Sequence, residues 1–370
     1  MKFFLFIVSC ISAGFITAQP AASIKDGSVY YETPLAYEAM HVALALTDTN
    51  VYSGSINVHA EVLDTSSAYY KEVQQQFQPF RNHPLVVALN EALRKDLLRY
   101  AQNIKLAYNS SWQNGELKEN NVYPLPMKML YQSQSVSRKL LEDFMQATRF
   151  ETFYAAHVGL YTAALQKVKT MADVHKQQQW LEQQFDARYQ QYFIVVSPLM
   201  GSTNFTNRMR INKQESCIMY VADAKKYADS NNAINNALYT GIVMTEIDHN
   251  YVNPVSDGVE KQLDKLMGDD NRKNWMKPNA VGQFYGSGYK IFNEYMTHAV
   301  YLLYTATLLD AASQQVVEAN RINIMKEGRG FHRFDAFYAM LKQLNASKQV
   351  PVQALYKEVM DWCQQQQGVL

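Results

Sequence analysis

The chain has 370 residues, 48% of them hydrophobic, with 25 Tyr, 17 Phe and a net charge of +1 from 35 basic and 34 acidic side chains. That composition fits one large domain or two intimate subdomains around an ample core. No basic block stands out, which excludes a protein that grips nucleic acid by charge.

At the N-terminus Lys2 supplies a positive start, Phe3 to Ile16 is apolar and rich in small residues, and Thr17-Ala18 precedes Gln19-Pro20. Residues 1–18 therefore read as a secretory signal peptide, too short for a membrane span. Ile7-Val8-Ser9-Cys10 also resembles a lipoprotein box, so lipidation at Cys10 is the alternative to cleavage near Ala18. No later stretch reaches the roughly 18 apolar residues of a transmembrane helix. The mature chain is expected to be secreted or otherwise extracytoplasmic, in the periplasm or at the cell surface. Cys217 and Cys363 are too few for a disulfide framework, and whether they pair is open.

Residues 19–190 read as mainly helical. Leu35, Ala39, Val42, Ala43 and Leu46 recur at helical spacing between Pro34 and Thr47. Tyr69 to Gln78 is a second helix, closed by Pro79. Leu85 to Tyr108 reads as one long amphipathic helix, and polar Asn109 to Asn121 as a loop. Further helices are expected over Ser135 to Ala147, Arg149 to Thr170 and Asp173 to Tyr189. From 191 to 370 the texture changes. Tyr192 to Val196 and Ser216 to Val221 are β-type runs with turn-rich Gly201 to Asn207 between them, which suggests a small antiparallel sheet or hairpin. The expected class is α+β, predominantly helical. Glutamine runs at 74–76, 177–179 and 364–367 read as solvated helix faces or a frayed tail.

Ser230-Asn231-Asn232 reads as a helix start, and Ile234, Leu238, Ile242 and Thr245 follow on one face that reaches His249. Asn253-Pro254 is expected to end that helix. It carries Thr245-Glu246-Ile247-Asp248-His249, which is the zinc-peptidase motif His-Glu-x-x-His with threonine in place of the first histidine. Thr245 and His249, four apart, share a face as two ligands would, and Glu246 is offset by about one-quarter turn, where a water-activating base belongs. The fragment alone is weak evidence. With 17 Glu and 8 His in 370 residues, chance gives about 0.4 Glu-x-x-His pairs.

A second helix begins after Gly286-Ser287-Gly288 and turns Ile291, Glu294, Tyr295, His298, Tyr301, Leu302 and Leu309 inward. A carboxylate on an apolar face is costly unless paired or metal-bound. Glu294 is thus either half of a buried ion pair or a third metal ligand, as in the two-His, one-Glu set of thermolysin-like enzymes. His41 and His157 fall within apolar helical patterns and read as core residues. His59, His175 and His332 read as exposed, and His83 before Pro84 as a turn or cap residue. Tyr285 and Tyr289 precede the Glu294 helix and are candidates for the cleft wall, with packing as the bland alternative.

With both helices in view the chain resembles the bacterial family known as domain of unknown function 4932, secreted proteins regarded as gluzincin-like metallopeptidases. The resemblance is carried by Glu38 to Asp48, Tyr69-Tyr70-Lys71-Glu72-Val73, Phe80 to Pro84, Ser197-Pro198-Leu199-Met200-Gly201, Asn293-Glu294, and above all the tail His249-Asn250-Tyr251-Val252-Asn253-Pro254. It implies a zincin-like core within residues 191–370, with Glu246 as general base, His249 and Glu294 as ligands of Zn²⁺, and a peptide or protein in the cleft. Thr245 departs from the family's first histidine, and its side chain is too short to replace an imidazole. His298, one turn beyond Glu294, is the candidate replacement ligand; the alternatives are a core histidine or a transition-state donor. Three functions follow: a zinc peptidase, a peptidase with a relocated ligand, or a non-catalytic descendant that binds peptide or protein in the retained cleft.

Overall fold

Val29-Tyr30-Tyr31-Glu32-Thr33 alternates buried and half-buried side chains, the signature of a strand with one face on a core. The computed structural model describes residues 22–53, 56–96, 98–120, 122–123, 136–227, 232–277 and 285–367. The signal-peptide segment 1–18, Cys10 and the first two residues of the expected Ser230-Asn231-Asn232 start lie outside these. β1 (Ala22–Asp26) and β2 (Val29–Thr33) form a hairpin whose turn places Gly27 at a φ of 55°, where glycine is unstrained. Short pairs β3 (Tyr52–Ser53) with β4 (Ile56–Asn57), and β5 (Ser110–Gln113) with β6 (Glu116–Glu119), follow.

The main sheet continues with β7 (Gln191–Ser197), β8 (Phe205–Ile211) and β9 (Gln214–Ala222), in the order β1-β2-β7-β9-β8. It is mixed, not antiparallel as the sequence suggested. β7 runs parallel to both β2 and β9, with Val195 opposite Tyr220, and β8 lies antiparallel on the β9 edge. The expected neighbours β7 and β9 are thus not a hairpin. The hairpin partner of β9 is β8, which begins inside the turn-rich segment Gly201 to Asn207. Around this sheet the described residues are predominantly helical, which gives an α+β fold. No helix among them is long and apolar enough to cross a membrane.

Three local expectations are corrected. The helix expected from Leu85 to Tyr108 is two helices, Pro84–Lys95 and Arg99–Tyr108. Asp96 leaves helical geometry and its carboxylate accepts the Leu98 N–H at 2.8 Å, a local bond that competes with the helix. The segment 109–121 contains the β5–β6 hairpin, turned by Asn114 and Gly115, both at positive φ, a pairing that suits a tight hairpin. The helix carrying Glu246 does not stop at Pro254 but runs Ala233–Asp257. Proline removes the N–H that would bond the Asn250 carbonyl, and the Tyr189 hydroxyl donates to that carbonyl at 2.6 Å instead. Tyr189→Phe should therefore lower stability by about 1 kcal/mol, checked by denaturant unfolding; an unchanged midpoint would assign the carbonyl another donor.

The helix Gly288–Thr305 is almost wholly enclosed. Every residue from Ile291 to Thr305 is buried, including the polar Asn293, Glu294, Thr297 and His298. It packs against the helix Ala233–Asp257, which also contacts β8, β9 and the helices Phe150–Ala172 and Ala311–Asn323. Cys217 and Cys363 are free, buried thiols. His41 is core, bonded to the Tyr37 carbonyl and the Tyr100 hydroxyl, and His83 caps the helix it precedes by accepting the Leu85 N–H. His59, expected to be exposed, is buried between Thr47 and Tyr70, to which it is hydrogen-bonded. His157, His175 and His332 are partly buried.

Candidate functional site

Thr245, Glu246 and His249 reach one cleft. Its larger part is a cavity of about 680 Å³ that includes Phe205, Thr245, Glu246, Tyr285, His298, Arg321 and Arg329 in its wall. A smaller part of about 330 Å³ shares several of these residues and adds His249, Asn253 and Glu294. The edge strand β8 forms one side, held to the motif helix where Asn250 Nδ2 donates to Thr206 Oγ1 at 3.0 Å. Thr245 is buried, and its hydroxyl donates to the Gly241 carbonyl of its own helix at 2.9 Å. That bond turns the oxygen back on the backbone. Asp248 is fully buried, with no hydrogen-bond partner on either carboxyl oxygen, and lies off the cleft.

Glu294 and His298 sit one turn apart on the facing helix and share a face, as their spacing requires. The Glu294 carboxylate is 9% exposed as a residue and is approached from three sides. His249 Nε2 lies 3.4 Å from its Oε1, His298 Nε2 lies 3.6 Å from Oε2, and the Arg329 Nη2 donates to Oε2 at 2.7 Å. Arg329 also contacts His298 Nε2 and the Tyr285 hydroxyl through its guanidinium, and stacks over the Tyr285 and Phe331 rings at 5.6 and 5.7 Å. A second guanidinium, Arg321, reaches His298 Nδ1 at 3.1 Å and covers the Tyr301 ring at 4.5 Å.

Local backbone explains how the arginines arrive. A π-helical turn over Ile324–Gly328 follows the helix Ala311–Asn323, and the Arg329 N–H bonds the Ile324 carbonyl at 2.9 Å. Gly330 then takes a φ of 83° and turns the chain. On the motif helix Gly241 leaves room for Arg321: a Cβ there would lie 2.0 Å from the Arg321 Nη2.

Charges are strongly biased. Burial would raise Glu294, but the Arg329 charge and the contacts from His249 and His298 hold its carboxyl well below the ordinary value. Burial would lower His249, but Glu294, with Glu246 and Asp248 behind it, raises it to about 9. Burial carries Glu246 up to about 7, with His249 and Arg329 opposing and Glu294 reinforcing. Burial carries His298 down to about 3; Glu294 opposes this and the two guanidiniums reinforce it. Burial also pushes the Asp248 carboxyl well above its usual range.

The Glu246 shift has a consequence for stability. A carboxyl raised on folding opposes folding when it ionises, so its share of stability is present below about 4.5 and is lost as pH rises through about 7. Glu246→Gln should be more stable than the natural chain at pH 8 by about 1–2 kcal/mol, after discounting for the surface Glu246 keeps open to the cleft. The two should match at pH 4. Urea unfolding at both pH values reads this; an equal difference at both would refute it.

Zn²⁺ fits the donors poorly. His249 and Glu294 stand close enough to share an ion, but the Thr245 oxygen is committed to its helix and His298 faces a guanidinium at each ring nitrogen. Among the described residues no three His, Cys, Asp or Glu side chains are disposed to hold a metal ion. A dication beside Glu294 would lie against Arg329, a like charge in a weakly screened interior.

Of the residues picked out by sequence, Thr245, Glu246, His249, Glu294, His298 and Tyr285 gather at one cleft. Tyr289 stands apart, its hydroxyl donating to Asp257 at 2.7 Å. Arg321 and Arg329 were missed. The available signal was Gly328-Arg329-Gly330-Phe331, an arginine between two glycines. No curated protein and no solved structure matches the chain. The sequence does match the family described as Domain of unknown function (DUF4932), over residues 37–359, and the chain belongs to that family.

Proposed function

We propose that this chain is a zincin-derived protein, working outside the cytoplasm, that holds a peptide or protein segment in its cleft without hydrolysing it. The observation that carries this is Arg329. Its guanidinium lies against both Glu294 and His298, so the positive charge that a zinc-ligand set awaits is supplied by a side chain. Thr245, hydrogen-bonded to its own helix, supports the same reading. What remains is an enclosed cleft beside an edge strand, with one wall polar. The test is binding of a mixed peptide library to the mature chain in the presence and absence of a chelator. Retention of the same peptides in both, recovered uncut by mass spectrometry, is expected. Retention lost with the chelator, or cleaved peptides, would count against the proposal.

A second reading is favoured by one observation, the Glu246 carboxyl carried to about 7, the range a general base needs. In it the chain is a peptidase, with Glu246 as base and His249, Glu294 and His298 as the metal set. Cleavage that depends on added zinc and disappears in Glu246→Gln would establish it.

A further inference from the structure

Resting on the cleft-binding reading above, we infer that Arg321 and the His298 it contacts form a receptor for a single carboxylate, and that the occupant carries one at its end, as a peptide C-terminus does. Arg321 is 8% exposed, yet it lines the larger part of the cleft. Its Nε is buried without a hydrogen-bond acceptor. Its partners are the His298 ring and Tyr301, whose face it covers and whose hydroxyl it also reaches, both uncharged, and no carboxylate among the described residues forms an ion pair with it. Arg329, by contrast, has Glu294. Lys225 in the same wall is likewise matched, by Asp64 at 2.9 Å. A buried unpaired guanidinium is costly, and a planar fork of donors suits a carboxylate.

Ring chemistry points the same way. Arg321 Nη1 addresses His298 Nδ1, and Arg329 Nη1 addresses His298 Nε2. A neutral imidazole offers one acceptor and a protonated one offers none. One of the two guanidinium N–H groups therefore lacks an acceptor whatever the tautomer. Where that group is Arg321 Nη1, a carboxylate arriving there satisfies it together with the orphaned Nε; where it is Arg329 Nη1, the carboxylate still answers the Nε of Arg321. One uncompensated guanidinium matches one negative charge, which favours a carboxylate over a dianionic phosphate. Leu238, Ile242 and Ile324, which line the same cavity, suit an apolar side chain on the residue that bears the carboxylate.

The test uses the mature chain and three N-acetylated probes: a tetrapeptide ending in leucine with a free carboxylate, the same peptide amidated, and an amidated peptide with an internal glutamate. Calorimetry should show the free acid binding about 10-fold or more tightly than its amide, because a charge-assisted pair is lost. Arg321→Met should erase that difference, while Arg321→Lys, which keeps the charge but not the fork, restores part of it. Tight binding of the internal glutamate probe would assign the receptor to an acidic side chain and overturn the terminal assignment. Equal binding of acid and amide would overturn the receptor while leaving the peptide-binding cleft intact. Propionate serves as a separate probe, read by the Arg321 side-chain NMR signal. A propionate shift with no peptide binding would uphold the receptor and refute the peptide reading; no response to any probe would refute both.

Discussion

Arg329→Ala should destabilise the fold by about 2–4 kcal/mol, because removing one partner of a buried ion pair leaves the other charge uncompensated. The Glu294 side chain is only 11% exposed and Arg329 27%. His249 at 3.4 Å offsets part of the loss, which keeps the figure below the top of the usual range. The effect has a pH signature. Glu294 is depressed on folding, so its pairing contributes stability above about 4.5 and loses it as pH falls through the lowered folded value. The gap between natural chain and variant should be full at neutral pH and narrow below pH 4. Guanidinium unfolding across that range measures it. A gap that is constant with pH would mean that Arg329 acts through packing on Tyr285 and Phe331 and not through Glu294.

Placing a histidine at position 245 should create a metal site, and Arg329 should resist it. Position 245 is one turn before His249 on the same face, so an imidazole there, with His249 and Glu294, completes a three-ligand set. Thr245→His combined with Arg329→Ala should bind zinc at least ~100-fold more tightly than the natural chain, judged from the smaller losses that follow outer-shell changes alone. Thr245→His by itself should gain distinctly less, because the guanidinium still neutralises Glu294. Zinc titration against a fluorescent chelator reads all three. Equal gains in the single and double variants would show that Arg329 does not compete with a cation. The double variant also joins a metal to Glu246, so appearance of peptide cleavage there alone would support descent from a peptidase.

Much of this was legible from residue spacing. Leu35 to Leu46 and the inward stripe of Glu294 and His298 follow helical periodicity, and periodicity reports which residues share a face. That was enough to bring Glu246, His249 and Glu294 to one place. Strand partnership was not legible. β7 and β9 are buried runs, and a buried run does not say which neighbour it pairs with or in which direction. β2 alternates as a strand should, but it is short and carries Tyr30 and Glu32 outward. Pro254 reads as a stop because the rule counts the lost N–H; the donor that replaces it, Tyr189, is 61 residues in sequence from the Asn250 carbonyl it bonds. The arginines escaped for the same reason. Arg329 meets Glu294 across 35 positions and Arg321 meets His298 across 23, and neither lies in a pattern that local periodicity can read. On the proposed reading Thr245 stands where a ligand would, and the positive charge that stands in for a cation comes from Arg329, on another element.

Zinc content of the natural chain tests the central claim most directly. After equilibration with micromolar zinc and removal of the free ion, elemental analysis should find well below one zinc per chain, unchanged in His298→Ala. One tightly held zinc per chain, lost in His249→Ala and in Glu294→Gln, would contradict the account and return the protein to the metallopeptidases.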